Sequence, residues 1–113
     1  MHEMALTNGV LKILAEQAER QDFRRIKTVW LEVGVLSHAE PEAMRFCFDA
    51  AARGTVADGA ELVILRPEGR AWCMDCADTV PISRRGDPCP SCGGFALAVS
   101  GGEELRVKEL EVE

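Results

Sequence analysis

Two short cysteine pairs, Cys73-Met74-Asp75-Cys76 and Cys89-Pro90-Ser91-Cys92, constrain this chain more than any other feature. Thiolates three residues apart on a tight turn present both sulfurs on one side. Two such turns facing each other make a tetrahedral metal site, with zinc–sulfur bonds of roughly 2.3 Å. Pro90, Gly93 and Gly94 suit the second turn, where the chain reverses; the first, ending in Ala77, lacks the usual glycine. Four protein ligands leave no open position, so the expected role is structural zinc(II). Iron in a rubredoxin-type centre is the rival metal, separable by colour. A thioredoxin-like redox motif fits less well, because two turns are present and neither opens a convincing helix. The fifth cysteine, Cys47, falls in an apolar helical stripe and reads as core. An odd count and no recognisable secretory leader point to a reduced, cytoplasmic setting rather than a disulfide scaffold.

The rest of the 113-residue chain completes one small globular protein. Leu6, Val10, Leu11, Ile13, Leu14 and Ala18 predict an amphipathic helix over 4–20. Ile26–Val33 reads as a half-buried strand, with Val29, Leu31, Val33 and Val35 on the inner face and Thr28, Trp30 and Glu32 on the outer. Pro41 suits a first helical turn, Met44, Cys47, Phe48 and Ala51 continue the stripe, and Gly54 closes it. Strands are expected at 61–66 and 104–112, and the apolar phase of the last slips between Val107 and Leu110. The fold class is α+β: two helices packed on a three-stranded sheet, with an inserted four-cysteine zinc-ribbon module. The expected domains are 1–70 plus 101–113, and 71–100. Gly101-Gly102 is expected to act as a hinge, its residues close to Gly69-Arg70.

Charge narrows the function. Thirteen basic residues face 19 acidic ones, for a formal net charge of −6. Nucleic-acid binding needs clustered cations, and base stacking needs aromatic rings; here aromatics are 5% of residues and Tyr is missing. Within the module Arg70, Arg84 and Arg85 are balanced by Asp75, Asp78 and Asp87. A zinc-ribbon nucleic-acid or protein interaction module is therefore the alternative reading, not the first. No nucleophile with a paired base is visible, so the chain is not expected to be an enzyme. No apolar run approaches the ~20 residues that span a bilayer.

The first three residues, Met1-His2-Glu3, admit two readings. A histidine at position 2 is ordinarily part of a solvated terminus. Alternatively the terminal amine, the following amide nitrogens and the imidazole lie in one plane around a metal, a donor set that suits nickel(II) or copper(II).

Met1-His2-Glu3-Met4, Val29-Trp30-Leu31-Glu32-Val33-Gly34 and the run Glu40–Phe48 together resemble the HypA/HybF hydrogenase nickel-incorporation family. So do Arg70-Ala71-Trp72-Cys73, the second cysteine turn and the tail Leu105–Val112. The resemblance covers essentially the whole chain in order. It implies a nickel metallochaperone that binds nickel(II) as transient cargo and carries structural zinc(II) at Cys73, Cys76, Cys89 and Cys92. It implies that Met1 gives its amine, His2 its imidazole, and Glu3 its amide or carboxylate, with a Glu40 carboxylate in the neighbourhood; His38 is a further candidate by its nearness in sequence, and otherwise a loop residue. It implies a HypB-type GTPase and the precursor large subunit of a [NiFe]-hydrogenase as partners, with urease maturation as a second role. Nucleic acid and membrane are not expected partners, and the chain is expected to be a monomer or homodimer. Some family members carry histidines beside the cysteine turns; both histidines here lie outside them, so histidine exchange at this zinc is not expected. Four thiolates around zinc(II) would bring the formal charge from −6 to about −8.

Overall fold

The computed structural model describes residues 2–113. The elements are α1 (His2–Gln21), β1 (Ile26–Val33), α2 (Pro41–Ala51), β2 (Glu61–Leu65), β3 (Gly69–Cys73), β4 (Asp78–Ile82), β5 (Leu97–Gly101) and β6 (Leu105–Val112). They make two three-stranded sheets, ordered β2-β1-β6 and β4-β3-β5. The expected α+β architecture is present, and the four-cysteine segment lies between β2 and β6. By contacts the chain divides into two compact units: residues 1–31, 39–64 and 106–113, and residues 32–38 and 65–105.

In the first unit α1 packs against α2. Val10 and Leu14 of α1 and Met44, Cys47 and Phe48 of α2 are buried, so Cys47 is core as its stripe predicts. Two departures mark the limits of periodicity. Thr7 is fully buried with its hydroxyl 3.9 Å from the Met44 sulfur, whereas Ile13, expected inside, is 48% exposed. Helix α2 starts where Pro41 allows it. Glu40 is the cap residue, its carboxylate accepting the Ala43 N–H at 2.9 Å. The helix ends at Ala51, and the Ala52 N–H still bonds the Phe48 carbonyl, so Gly54 lies in the following turn rather than closing the helix.

Strand β1 is the middle strand of its sheet. Val29, Leu31 and Val33 are buried as expected; Thr28 on the other face is buried too, because its hydroxyl donates to Glu111 at 3.1 Å. Val35 falls beyond the strand and is exposed, its N–H bonded to the Pro67 carbonyl at 2.9 Å. At one end the Gly34 N–H meets the Glu104 carbonyl, and at the other the Glu113 N–H meets the Arg25 carbonyl, so β1 and β6 run antiparallel. The half-buried residues of β6 are Leu105, Val107 and Leu110, so its alternation slips between Val107 and Leu110 as expected.

The second unit has its own sheet, which the sequence did not announce. Antiparallel pairing sets Ala71 opposite Val80 and Val99, and Cys73 opposite Asp78 and Leu97. Its core is small: Leu36, Ala71, Val80 and Ile82 with the sulfurs of Cys73 and Cys89. The expected hinge at Gly101-Gly102 is instead a tight packing point. Arg70 pairs with Gly101, and Gly102 is buried against the Gly69 backbone with φ +93°. Gly34 meets the same crossing: a Cβ there would lie 2.1 Å from the Gly102 carbonyl oxygen. Backbone cannot yield as a side-chain tip does. Gly34→Ala is therefore expected to lower stability by about 2–3 kcal/mol in a urea melt.

Candidate metal centre

Strand β3 delivers Cys73 as its last residue, and the turn after it brings Cys76 back. The Cys76 N–H points at the Cys73 sulfur at 3.4 Å. The second turn is closed by its own backbone: the Cys89 N–H bonds the Gly94 carbonyl at 2.7 Å, and the Gly93 N–H bonds the Cys89 carbonyl at 2.8 Å. Gly94 leaves space between Asp75 and Cys92, since a Cβ there would sit 3.1 Å from the carboxylate oxygen and 3.4 Å from the sulfur.

All four sulfurs lie within 4.8 Å of one another. Cys73 is 3.8 Å from Cys92, and Cys76 is 3.9 Å from Cys89, so contacts run across the two turns. A tetrahedron with bonds of roughly 2.3 Å has edges of about 3.8 Å, so this donor set fits four-coordinate zinc. Thiols this close also bias one another. The Cys92 N–H, followed by that of Ser91, stabilises the Cys89 thiolate and pulls that thiol down to about 7. Cys76 is pushed up to about 12 by its hydrogen bonds with the sulfurs of Cys92 and Cys73. Cys92 is raised as well: the Gly94 N–H and the Cys76 thiol on its sulfur work the other way but do not offset Cys89, Cys73 and burial together. The Cys89 sulfur is thus the readier to ionise, while Cys76 and Cys92 hold their protons more tightly.

The two turns share one backbone solution. Gly93, just after Cys92, has φ +73°, and Ala77, just after Cys76, has φ +53°. The missing glycine of the first turn is replaced by an alanine held in the left-handed region, where Cβ crowds the backbone.

At the other candidate site, α1 begins at His2. His2 Nδ1 lies 3.6 Å from the Glu3 carboxylate, and that same oxygen accepts the Glu40 N–H at 3.1 Å. This bond to Glu40, then the Glu3 backbone N–H and then His2, holds the Glu3 carboxyl below its usual 4.5. His2, Glu3 and Glu40 are thereby brought together across 37 residues of sequence. The Glu40 side chain already caps α2. His38 is exposed in the 32–38 segment of the second unit. The expected amine ligand, Met1, lies outside the described residues. No helix among the described residues is long and apolar enough to cross a membrane.

Relieving the left-handed alanine is a direct test of the first turn. Ala77→Gly removes the Cβ crowding and adds some unfolded-state freedom, for a net gain of about 0.5–1 kcal/mol. The expected result is slower loss of metal to a chelator and a higher urea midpoint.

Comparison with known proteins bears on both sites. A family model described as "Hydrogenase/urease nickel incorporation, metallochaperone, hypA" matches residues 1–112. The hydrogenase maturation factors HypA of Rhodopseudomonas palustris strain BisA53 and of Albidiferax ferrireducens are each 56% identical over 113 residues, covering all of both chains. The solution structure of the Ni metallochaperone HypA from Helicobacter pylori superposes with a TM-score of 0.72 at 20% identity, over 97% of this chain and 96% of that one. A second HypA solution structure gives 0.74 at 22%, over 100% and 97%. At those identities the two structures speak to the fold alone. The family match and the full-length relatives settle the kinship: the chain belongs to the HypA family of hydrogenase/urease nickel-incorporation metallochaperones.

Proposed function

We propose that this chain binds one nickel(II) at Met1-His2-Glu3 and delivers it to the precursor large subunit of a [NiFe]-hydrogenase, working with a HypB-type GTPase in the cytoplasm. Family membership over residues 1–112 is the observation that carries this reading. The resident metal is zinc(II), held by Cys73, Cys76, Cys89 and Cys92, whose mutual spacing suits it. Zinc supplies a crosslink that the small core of its unit does not provide by packing. The chain is a carrier, not a catalyst.

Elementary electrostatics constrain how the terminus would hold nickel. The first N–H groups of α1 have no acceptors within the helix, and their dipoles carry partial positive charge. A cation is unwelcome there until amide nitrogens lose their protons and become anionic donors. With the His2 imidazole and the terminal amine they complete a planar nitrogen set that suits nickel(II). Loading therefore expels protons, and affinity falls as pH falls. Glu3 sits at the same end, where an acidic residue in the first turn offsets the dipole. A site on the exposed His2 passes metal to a new ligand set without a buried exit.

Nickel titration of tag-free protein separates the two sites. His2→Ala is expected to abolish the one-to-one nickel site and leave one zinc per chain. One-to-one nickel binding by the variant rules out the terminal site. One extra residue before Met1 is expected to weaken nickel binding at least about tenfold, because the amine moves.

Proton counting tests the cysteine cluster. Cys76 and Cys92 hold their protons above the usual thiol range, so zinc added to metal-free protein at about pH 8 is expected to release at least about two protons per zinc. Acidification reverses this, since protons and zinc compete for the same sulfurs. A pH indicator in weak buffer reads the first result, and zinc retained after dialysis at falling pH reads the second.

A further inference from the structure

The four sulfurs are not equally placed. Cys73 and Cys89 are buried and Cys76 is half-buried, but Cys92 is exposed, so it is the sulfur that a cation in solvent reaches most freely. Beside it lies a carboxylate that the fold does not use. Residues 71–100 carry Asp75, Asp78 and Asp87, and two of these are tied to backbone. Asp78 accepts the Thr79 N–H at 2.8 Å, and Asp87 accepts the Ser83 and Arg84 N–H groups, each at 3.0 Å. Asp75 is exposed, and no hydrogen bond or ion pair holds it among the described residues.

Asp75 nonetheless reaches from the first cysteine turn to the second. A Cβ built on Gly94 would lie 3.1 Å from the Asp75 carboxylate oxygen and 3.4 Å from the Cys92 sulfur, so both atoms border one gap. The backbone does not require a glycine there. Gly93 sits at φ +73°, but Gly94 is outside the left-handed region. What the missing side chain does is keep the carboxylate and the sulfur open to each other.

Electrostatics make this placement informative. Four thiolates around a doubly charged cation leave about −2 at the cluster, and a carboxylate at its mouth adds to that charge. A site shaped only to hold metal would set an N–H donor or a cation there. Before the metal is seated the same carboxylate acts the other way. It draws a hydrated cation toward the exposed sulfur and offers an oxygen in exchange for a water.

We propose that Asp75 is the portal of the cysteine cluster, its carboxylate the first donor that an incoming cation takes and the last that it leaves. The inference rests on the reading of the four cysteines as a zinc site. On entry a water leaves the cation with its electron pair, and an Asp75 oxygen bonds in its place. The Cys92 sulfur bonds next, then the inner three, as the other waters leave and thiol protons pass to solvent. The Asp75 oxygen lets go when the fourth sulfur closes the tetrahedron. No electron is transferred. Exit retraces these steps, so the carboxylate speeds both directions and leaves the affinity of the finished site nearly unchanged.

Isotope exchange tests this on the zinc-loaded full chain, in the His2→Ala background so that the terminus takes no label. Bound zinc is chased with labelled zinc(II), and affinity is measured separately by competition with a chelator. Asp75→Asn keeps a turn-forming residue and removes its charge. It is expected to slow exchange about five- to tenfold while affinity changes less than about twofold. A role in the turn alone predicts no slowing. Asp75→Glu keeps the carboxylate and is expected to recover most of the rate. Gly94→Ala fills the gap and is expected to slow exchange in the parent but to add nothing to Asp75→Asn. Cobalt(II) in place of zinc reports the finished site through its thiolate-to-metal absorption, expected to be the same in parent and variants. Unchanged exchange in Asp75→Asn overturns the proposal, as does an altered cobalt spectrum, which would make Asp75 a resident ligand. So does a slowing matched by an equal gain in affinity, which would mean that the carboxylate only repels the filled site. A parent without the four-sulfur cobalt spectrum removes the cysteine site itself, and the portal with it.

Discussion

Four sulfurs within 4.8 Å are the condition on which the second unit rests. As thiolates they repel one another, and as thiols they are a weakly bonded cluster in place of a core. A doubly charged cation would turn that liability into a crosslink joining the end of β3 to the turn before β5. The unit has little else: four aliphatic side chains, two of the sulfurs, and short strands of five residues each. Even the backbone is bent to serve the cluster, since Ala77 is held at φ +53° so that the two turns match.

The first unit is organised by more ordinary means. An apolar stripe on α1 meets one on α2, and β1 runs between two neighbours with its aliphatic face fully buried. What is particular is the end where α1 begins. The Glu3 carboxylate joins His2 to the first backbone group of the α2 cap, while Glu40 completes the cap itself. One oxygen therefore serves two elements, and a change at the terminus is felt at the start of α2.

Local signals were read well from the sequence and non-local ones poorly. The strand at Ile26–Val33, the proline-started helix at Pro41 and the slip in β6 each follow from residues within one element. The facing cysteine turns were legible because ligand spacing is itself local. The exposed Ile13, the buried Thr7 and Thr28 and the exposed Val35 were not, because neighbours distant in sequence decide them. The short strands β3–β5 went unannounced because their hydrophobic contrast is weak: the inward residues of β3 are Gly69, Ala71 and Cys73, β4 carries Pro81, and β5 ends in Ser100-Gly101. Gly101-Gly102 looked like a hinge because two glycines are permissive; in place they allow backbones to touch. The meeting of Glu3 with Glu40 was named only as a neighbourhood, and its hydrogen bond is a product of the fold.

The division of the chain has a consequence for how the sheet of β1 is completed. The polypeptide passes between the two units four times. β6 follows all four cysteines in the chain and adds the edge strand beside β1. Its pairing closes a loop of some 40 residues, 65–105. The entropic cost of closure falls on the flexible part of a loop. With Arg70 paired to Gly101, a folded 65–105 segment holds its ends together, so little of that cost is left to the sheet. A cation held by the four sulfurs would therefore favour the pairing of β6 with β1 from a distance, with no contact to either strand.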